Sequence, residues 1–168
     1  NLFLRVDLAE RRLCLAATAV ARRRALRQIF RTVSRLGDGV AWYLVMAAMP
    51  LLLGRAGLLV AAQMGLTGIA GLVLYKQLKG RLVRERPYIG LVGIECAMAP
   101  LDRYSFPSGH TLHAVCFTML AVAHVPQLAL VLVPFASLVA MSRVVLGLHY
   151  PTDVLAGAAL GALLATCS

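Results

Sequence analysis

Residues 110–142 read HTLHAVCFTMLAVAHVPQLALVLVPFASLVAMS, without a single Asp, Glu, Lys or Arg. The run is too long for one crossing of a hydrocarbon core about 30 Å thick, which takes about 20 residues at about 1.5 Å each. Two short spans joined near Pro126-Gln127 fit it, with Pro126 as the hairpin. That choice fixes parity. His110 opens one span and Arg143 closes the next on the same membrane face, whereas a single helix would hold them on opposite faces.

Outward from this stretch, uncharged runs cover Gly39 to Gly54 and Ala56 to Tyr75 on either side of Arg55, and Val154 to Cys167 closes the chain. The expected fold is all-α, a polytopic membrane helix bundle with about five transmembrane helices of about the spanning length. Composition agrees: of 168 residues 60% are hydrophobic and 14% charged, with mean hydropathy +0.79, which excludes disorder and weighs against a soluble enzyme. The length predicts one domain. Seventeen Lys and Arg against seven Asp and Glu give a net charge of +10. An anionic partner follows, either membrane lipid or a phosphorylated substrate, while the apolar bulk argues against nucleic acid.

From Asn1 to Arg35 nine arginines and two acids, Asp7 and Glu10, interleave with Leu2, Leu4, Val6, Leu13, Leu15, Leu26, Ile29, Phe30 and Val33. No uncharged run here reaches spanning length. Residues 1–38 are expected to form a basic amphipathic helix lying on a headgroup surface, with a solvated tail as the alternative. Leu36-Gly37-Asp38-Gly39 reads as a break before a transmembrane domain over residues 39–168. Cys14, Cys96, Cys116 and Cys167 show no metal-ligand spacing and read as packing residues. No signal-peptide pattern is visible.

Three polar clusters fall at membrane boundaries, where ionisable groups are costly and by default functional. Lys79, Arg86 and Arg143 supply three cations, and guanidinium forks match phosphate oxygens with paired hydrogen bonds. The plain alternative, topology charge, suits Lys76, Arg81 or Arg103 better than Arg143, which is isolated between apolar runs. In Pro107-Ser108-Gly109-His110, Ser108 is a good N-cap and Gly109 permits close backbone approach, so the opening N–H groups of a helix would face an anion. The tetrapeptide alone could be only a helix start. His149 lies just outside a helix that Pro151 begins, with Asp153 one turn in. A carboxylate four residues away can fix the imidazole tautomer and leave the other nitrogen free as a nucleophile. Zinc is a rival reading of two histidines and an aspartate, but no further ligand is placed to complete a site. His113 reads as a core histidine, and Glu95 and Asp102 as solvated loop acids.

Written as KGRLVRERP, PSGH and SRVVLGLHYPTD, the three clusters resemble the signature motifs of the type 2 phosphatidic acid phosphatase family, which also contains glucose-6-phosphatase and vanadium haloperoxidases. The resemblance covers about Lys79 to Asp153 and leaves the first 38 residues uncovered. It implies a metal-independent phosphatase, needing no cofactor, in which His149 attacks phosphorus, Asp153 orients it and a phosphohistidine forms. His110 would protonate the leaving oxygen and then serve as base for the attacking water. Lys79, Arg86, Ser108, Gly109 and Arg143 would hold the phosphoryl oxygens. Ser142 would support Arg143 or bond an oxygen, and Pro87 and Pro107 would set backbone direction.

The functional expectation is an integral membrane lipid phosphatase acting on phosphatidic acid, phosphatidylglycerophosphate or undecaprenyl diphosphate. The alternatives are a lipid phosphotransferase using the same phosphohistidine and a non-catalytic anionic-lipid binder. The resemblance also implies a bacterial cytoplasmic membrane. An odd number of spans with a basic amino terminus assigns the site to the cytoplasmic face, while members resembling this chain act on the outer face; both orientations stay open.

Overall fold

The computed structural model describes residues 2–100 and 102–168, with side chains from residue 8 onward. Asn1 and the side chains of Leu2, Leu4, Val6 and Asp7, part of the expected basic segment, lie outside the described residues. Among the described residues eight α-helices follow in order: α1 Leu2–Val20, α2 Arg24–Arg35, α3 Ala41–Leu53, α4 Arg55–Arg81, α5 Pro87–Gly90, α6 Gly109–His124, α7 Ala129–Val145 and α8 Pro151–Cys167. Among the described residues there is no strand. A short 3-10 turn, Pro126–Leu128, joins α6 to α7 at the expected hairpin.

Among the described residues three helical elements, Arg24–Leu53, Arg55–Arg81 and Pro126–Val145, are long and apolar enough to cross a membrane, and α8 is a shorter apolar helix. Leucines and isoleucines such as Leu51, Leu59, Leu66, Ile69, Leu130 and Leu155 stand exposed along these helices, as in a bundle whose outer solvent is hydrocarbon.

The Leu36–Gly39 segment differs from expectation. It is a π-helical turn, Leu36–Val40, that joins α2 to α3 through a kink, so the helical element begins at Arg24 rather than at Gly39. Gly39 absorbs the kink at φ 141°, a conformation open to glycine. The indole of Trp42 donates to Gly37 O at 2.9 Å and satisfies a carbonyl that the widened turn frees. Arg24, Arg27, Arg31 and Arg35 hide this continuity in the sequence, because they cut the uncharged run at its start.

The main core joins Trp42 and Met49 of α3, Val60 and Met64 of α4, Phe117 and Leu120 of α6, and Leu132 and Val139 of α7. A smaller one joins Ala21 and Phe30 to Val145, Leu146 and Leu148, so α1 and α2 pack beneath the turn that follows α7. Helices α6 and α8 pack along the most extensive of the helix–helix seams. A Cβ on Gly157 would stand 2.4 Å from Ser108 O, and one on Gly161 2.3 Å from Leu112 O. Small residues four apart let the two backbones touch, and the seam carries a hydrogen bond from Ser108 N to Asp153 O at 3.0 Å. Cys14 and Cys116 are buried, but Cys96 and Cys167 are exposed and do not pack inside the bundle.

Candidate active site

Lys79 lies in the last turn of α4, Arg86 immediately precedes α5, His110 is in the first turn of α6, Arg143 is in the last turn of α7, and His149 lies between α7 and α8. With Gly109, all five line one cavity of about 400 Å³. The same cavity runs on between α3 and α4, past Trp42, Met46, Gly65, Gly68, Ile69 and Leu72, so one end is cationic and the other apolar.

The remaining expected residues lie behind this wall. Ser108 caps α6, its hydroxyl 3.0 Å from Thr111 Oγ1 and accepting from Thr111 N at 3.5 Å. The Ser142 hydroxyl donates to Val139 O at 2.6 Å, and the hydroxyl that meets Arg143 is that of Ser34 in α2. Pro87 opens α5 and is buried, as is Pro107 in the approach to α6. Asp153 is fully buried in the first turn of α8, where its Oδ2 accepts from Tyr150 N at 2.8 Å.

Arg86 is 1% exposed, and each of its three nitrogens has a partner. Its Nη1 donates to Leu148 O at 2.8 Å and stands 3.3 Å from His149 Nε2, while Nη2 donates to Asp102 Oδ1 at 2.6 Å and Nε to Asp102 O at 3.1 Å. A guanidinium offers no lone pair, so Nε2 is the accepting nitrogen and the ring proton sits on Nδ1. Nδ1 faces Asp153 Oδ2 at 3.6 Å. Burial pushes the His149 imidazole well below its ordinary 6.5, and the cations of Arg143, Arg86 and Lys79 add to that against the opposing Asp102. His149 is therefore a neutral base whose one ring lone pair, on Nε2, meets Arg86 Nη1 at the cavity wall.

Asp102 departs from its expected role as a solvated loop acid. Its carboxylate sits across the clamp, accepting from Lys79 Nζ at 2.7 and 2.8 Å as well as from Arg86. Partial burial works against its charge, but the hydrogen bond and charge of Lys79 and the charge of Arg86 hold its carboxyl below the usual 3.8. Buried cations are costly unless paired, and Asp102 supplies the pairing for two of the three.

Two acids and an arginine, Asp38, Glu10 and Arg84, have no role in the sequence reading and also enter the picture. Asp38, presented by the π turn, stands 3.2 Å from His110 Nε2, without the alignment of a hydrogen bond. Arg84 donates to Asp153 Oδ1 at 2.6 Å and to Glu10 of α1 at 2.6 Å. For Asp38 a signal existed: an acid at the edge of an apolar run is costly by the same rule that picked out Arg143. Glu10, Arg84 and Asp102 carried none, being charged residues in charged surroundings. His113 bonds Gly68 O at 3.1 Å and stacks on Phe117, as a core histidine would, and it also lines the cavity. Among the described residues no group of three or more His, Cys, Asp or Glu side chains converges as a metal site would.

A family model described as the PAP2 superfamily matches residues 53–168. The chain is 39% identical over 106 residues to phosphatidylglycerophosphatase B of Bacillus subtilis, a match over 55% of this chain and 48% of that protein. It is 32% identical over 133 residues to the decaprenylphosphoryl-5-phosphoribose phosphatase of Mycolicibacterium smegmatis, over 76% of this chain and 68% of that one. Among solved structures, the transmembrane PAP2 type phosphatidylglycerolphosphate phosphatase from Bacillus subtilis superposes with a TM-score of 0.75 at 29% identity, covering 96% of this chain and 83% of that one. The chain thus spans about half the length of the first relative and most of the solved structure.

Proposed function

The chain belongs to the PAP2 superfamily, and from that premise we propose that it is a membrane phosphatase releasing phosphate from a lipid phosphomonoester or diphosphate. One observation carries the reading: three cations and two imidazoles line a cavity whose other end is apolar. A headgroup phosphate suits the first end and a hydrocarbon tail the second. The similar proteins named above act on phosphatidylglycerophosphate and a decaprenyl-linked sugar phosphate, and the substrate here belongs to the same class. Phosphatidic acid, phosphatidylglycerophosphate and undecaprenyl diphosphate all satisfy it.

In the reaction, phosphate oxygens take over the contacts that Asp102 makes with Lys79 and Arg86. His149 Nε2 then bonds to phosphorus as the ester P–O bond breaks, and the departing oxygen leaves with its electron pair and takes a proton from His110. Asp153 stabilises the positive charge that develops on the His149 ring. Lys79, Arg86, Arg143 and the Gly109 N–H balance charge on the equatorial oxygens, with Ser108 fixing the helix start that presents that N–H. Asp38, 3.2 Å from His110 Nε2, is the carboxylate placed to pair with that ring in the first step. Water then attacks phosphorus, its proton passes to His110, the N–P bond breaks and inorganic phosphate departs.

Buried Arg143 Nε and His110 Nε2, which lack hydrogen-bond partners among the described residues, support an anion at this position. The exposed arginines Arg11, Arg12, Arg22 and Arg23 suit contact with the anionic headgroups of a bacterial cytoplasmic membrane. The test is phosphate release from phosphatidylglycerophosphate by the purified chain in detergent with EDTA present. Activity is expected in the parent and its loss in His149→Ala; an undiminished rate in that variant refutes the mechanism.

A further inference from the structure

The Asp153 carboxylate is engaged from two sides. Oδ2 faces His149 Nδ1 and accepts from Tyr150 N, while Oδ1 accepts from Arg84 Nη1 at 2.6 Å. Arg84 is itself fixed with little freedom. Nη1 also donates to Thr152 Oγ1 at 2.7 Å, Nη2 donates to Glu10 Oε2 at 2.6 Å, and the guanidinium lies 4.0 Å over the Tyr150 ring. Its backbone is held as well, because Arg84 O accepts from Ser105 N at 2.9 Å. The second Glu10 oxygen, Oε1, accepts the Thr152 backbone N–H at 3.0 Å and the Thr152 hydroxyl. Two buried carboxylates, Glu10 at 6% and Asp153 at 0% exposure, therefore share one guanidinium and grip the same first turn of α8.

We propose that Glu10 and Arg84 are positioning residues for the phosphatase reaction: α1 delivers the carboxylate that fixes the plane of Arg84, and Arg84 in turn fixes Asp153. This rests on the reading of His149 as nucleophile. Arg84 has two donor edges and two acids to serve. With Glu10 holding Nη2, only Nη1 reaches Asp153, so Oδ2 is left to the Tyr150 N–H and faces the Nδ1 edge of His149 at 3.6 Å. Without Glu10 the fork turns to take both oxygens of Asp153 in the preferred two-bond geometry. Oδ2 is then withdrawn from the ring, the tautomer that leaves Nε2 unprotonated loses its support, and attack on phosphorus slows. Glu10 lies in α1, ahead of the residues 53–168 that match the family. The amino-terminal helix is in this way part of the catalytic apparatus, tied to it across 142 positions of sequence.

The phosphate clamp is untouched by this arrangement, so the loss falls on kcat and not on KM. With phosphatidylglycerophosphate in detergent micelles as probe, Glu10→Gln of the full chain is expected to lower kcat roughly 10-fold to 100-fold, as loss of an outer partner of a site ligand does. KM should stay within about twofold, since uniform binding is unchanged. Glu10→Asp should recover part of the rate, and ¹⁵N-histidine spectra should show His149 moving from the Nδ1–H toward the Nε2–H form in Glu10→Gln. Should Glu10→Gln fail to fold, Arg84→Lys carries the test, because an ammonium keeps the charge but cannot span both carboxylates. Parent kcat in these variants beside an inactive His149→Ala overturns the positioning role and leaves the phosphatase reading standing. A loss confined to KM or to thermal stability overturns it too. An active His149→Ala instead removes the reading on which it rests.

Discussion

The Asp102 carboxylate holds the Arg86 guanidinium at 2.6 Å and, with its other contacts, occupies the cationic end of the cavity. An entering phosphate has to displace it. Asp102→Asn removes a competing anion, and a charge-assisted contact worth about 1.4 kcal/mol corresponds to about tenfold in affinity. Inhibition by inorganic phosphate is expected to tighten by roughly that factor in Asp102→Asn, measured as the Ki in a phosphate-independent assay of lipid product. An unchanged or weaker Ki would mean that Asp102 does not compete.

Arg143 is 2% exposed and meets the Ser34 hydroxyl, which fixes its head against the cavity. A lysine at this position keeps the charge and loses the planar fork. Arg143→Lys is expected to lower kcat/KM on the order of 100-fold, the scale of losing one preorganised donor to a phosphoryl transition state. Steady-state kinetics on phosphatidic acid in mixed micelles, with circular dichroism to confirm folding, provide the check.

His149 is neutral in the folded protein because burial holds it well below 6.5, whereas an unfolded chain takes up a proton as pH falls through that value. Stability is therefore full above 6.5 and declines as the solution is acidified below it. Asp102, already held below 3.8, is ionised in both states across this window and adds no slope there. The melting temperature in detergent is expected to drop between pH 6.5 and 5, and to drop less in His149→Asn. Parallel curves for the two proteins would contradict the assignment.

At the α6–α8 seam a Cβ on Gly157 meets a backbone carbonyl, which cannot step aside as a side chain would. Gly157→Ala is expected to destabilise by about 1–3 kcal/mol, the usual scale for overpacking. The same displacement parts His110 from the Asp153 turn, so activity should fall with the melting temperature. A variant that melts normally would show the seam to be looser than its geometry.

The three motif clusters carry the cations and the two imidazoles of the proposed reaction in plain view. Lys79, Arg86, His110, Arg143 and His149 are recognisable because cations and imidazoles stand out against apolar runs, and span parity alone requires them to share a face. What escapes notice is pairing. Glu10 looks like one acid among nine arginines, and its partner lies 74 positions away. Asp102 looks like a loop acid until α4 and α5 bring Lys79 and Arg86 to it. The start of the first long helix is hidden for a related reason: four arginines interrupt the hydropathy signal while leaving helix propensity intact.

The cavity's apolar arm passes Tyr43 and Ile69, which are 70% and 60% exposed on the outer wall of α3 and α4. A substrate can thus be drawn sideways from the leaflet without its tail ever meeting water. Turnover would then follow the two-dimensional density of substrate in the film and not its bulk molarity. Diluting the lipid with inert detergent at constant total substrate would slow the enzyme, much as thinning a crowd slows meetings on a floor.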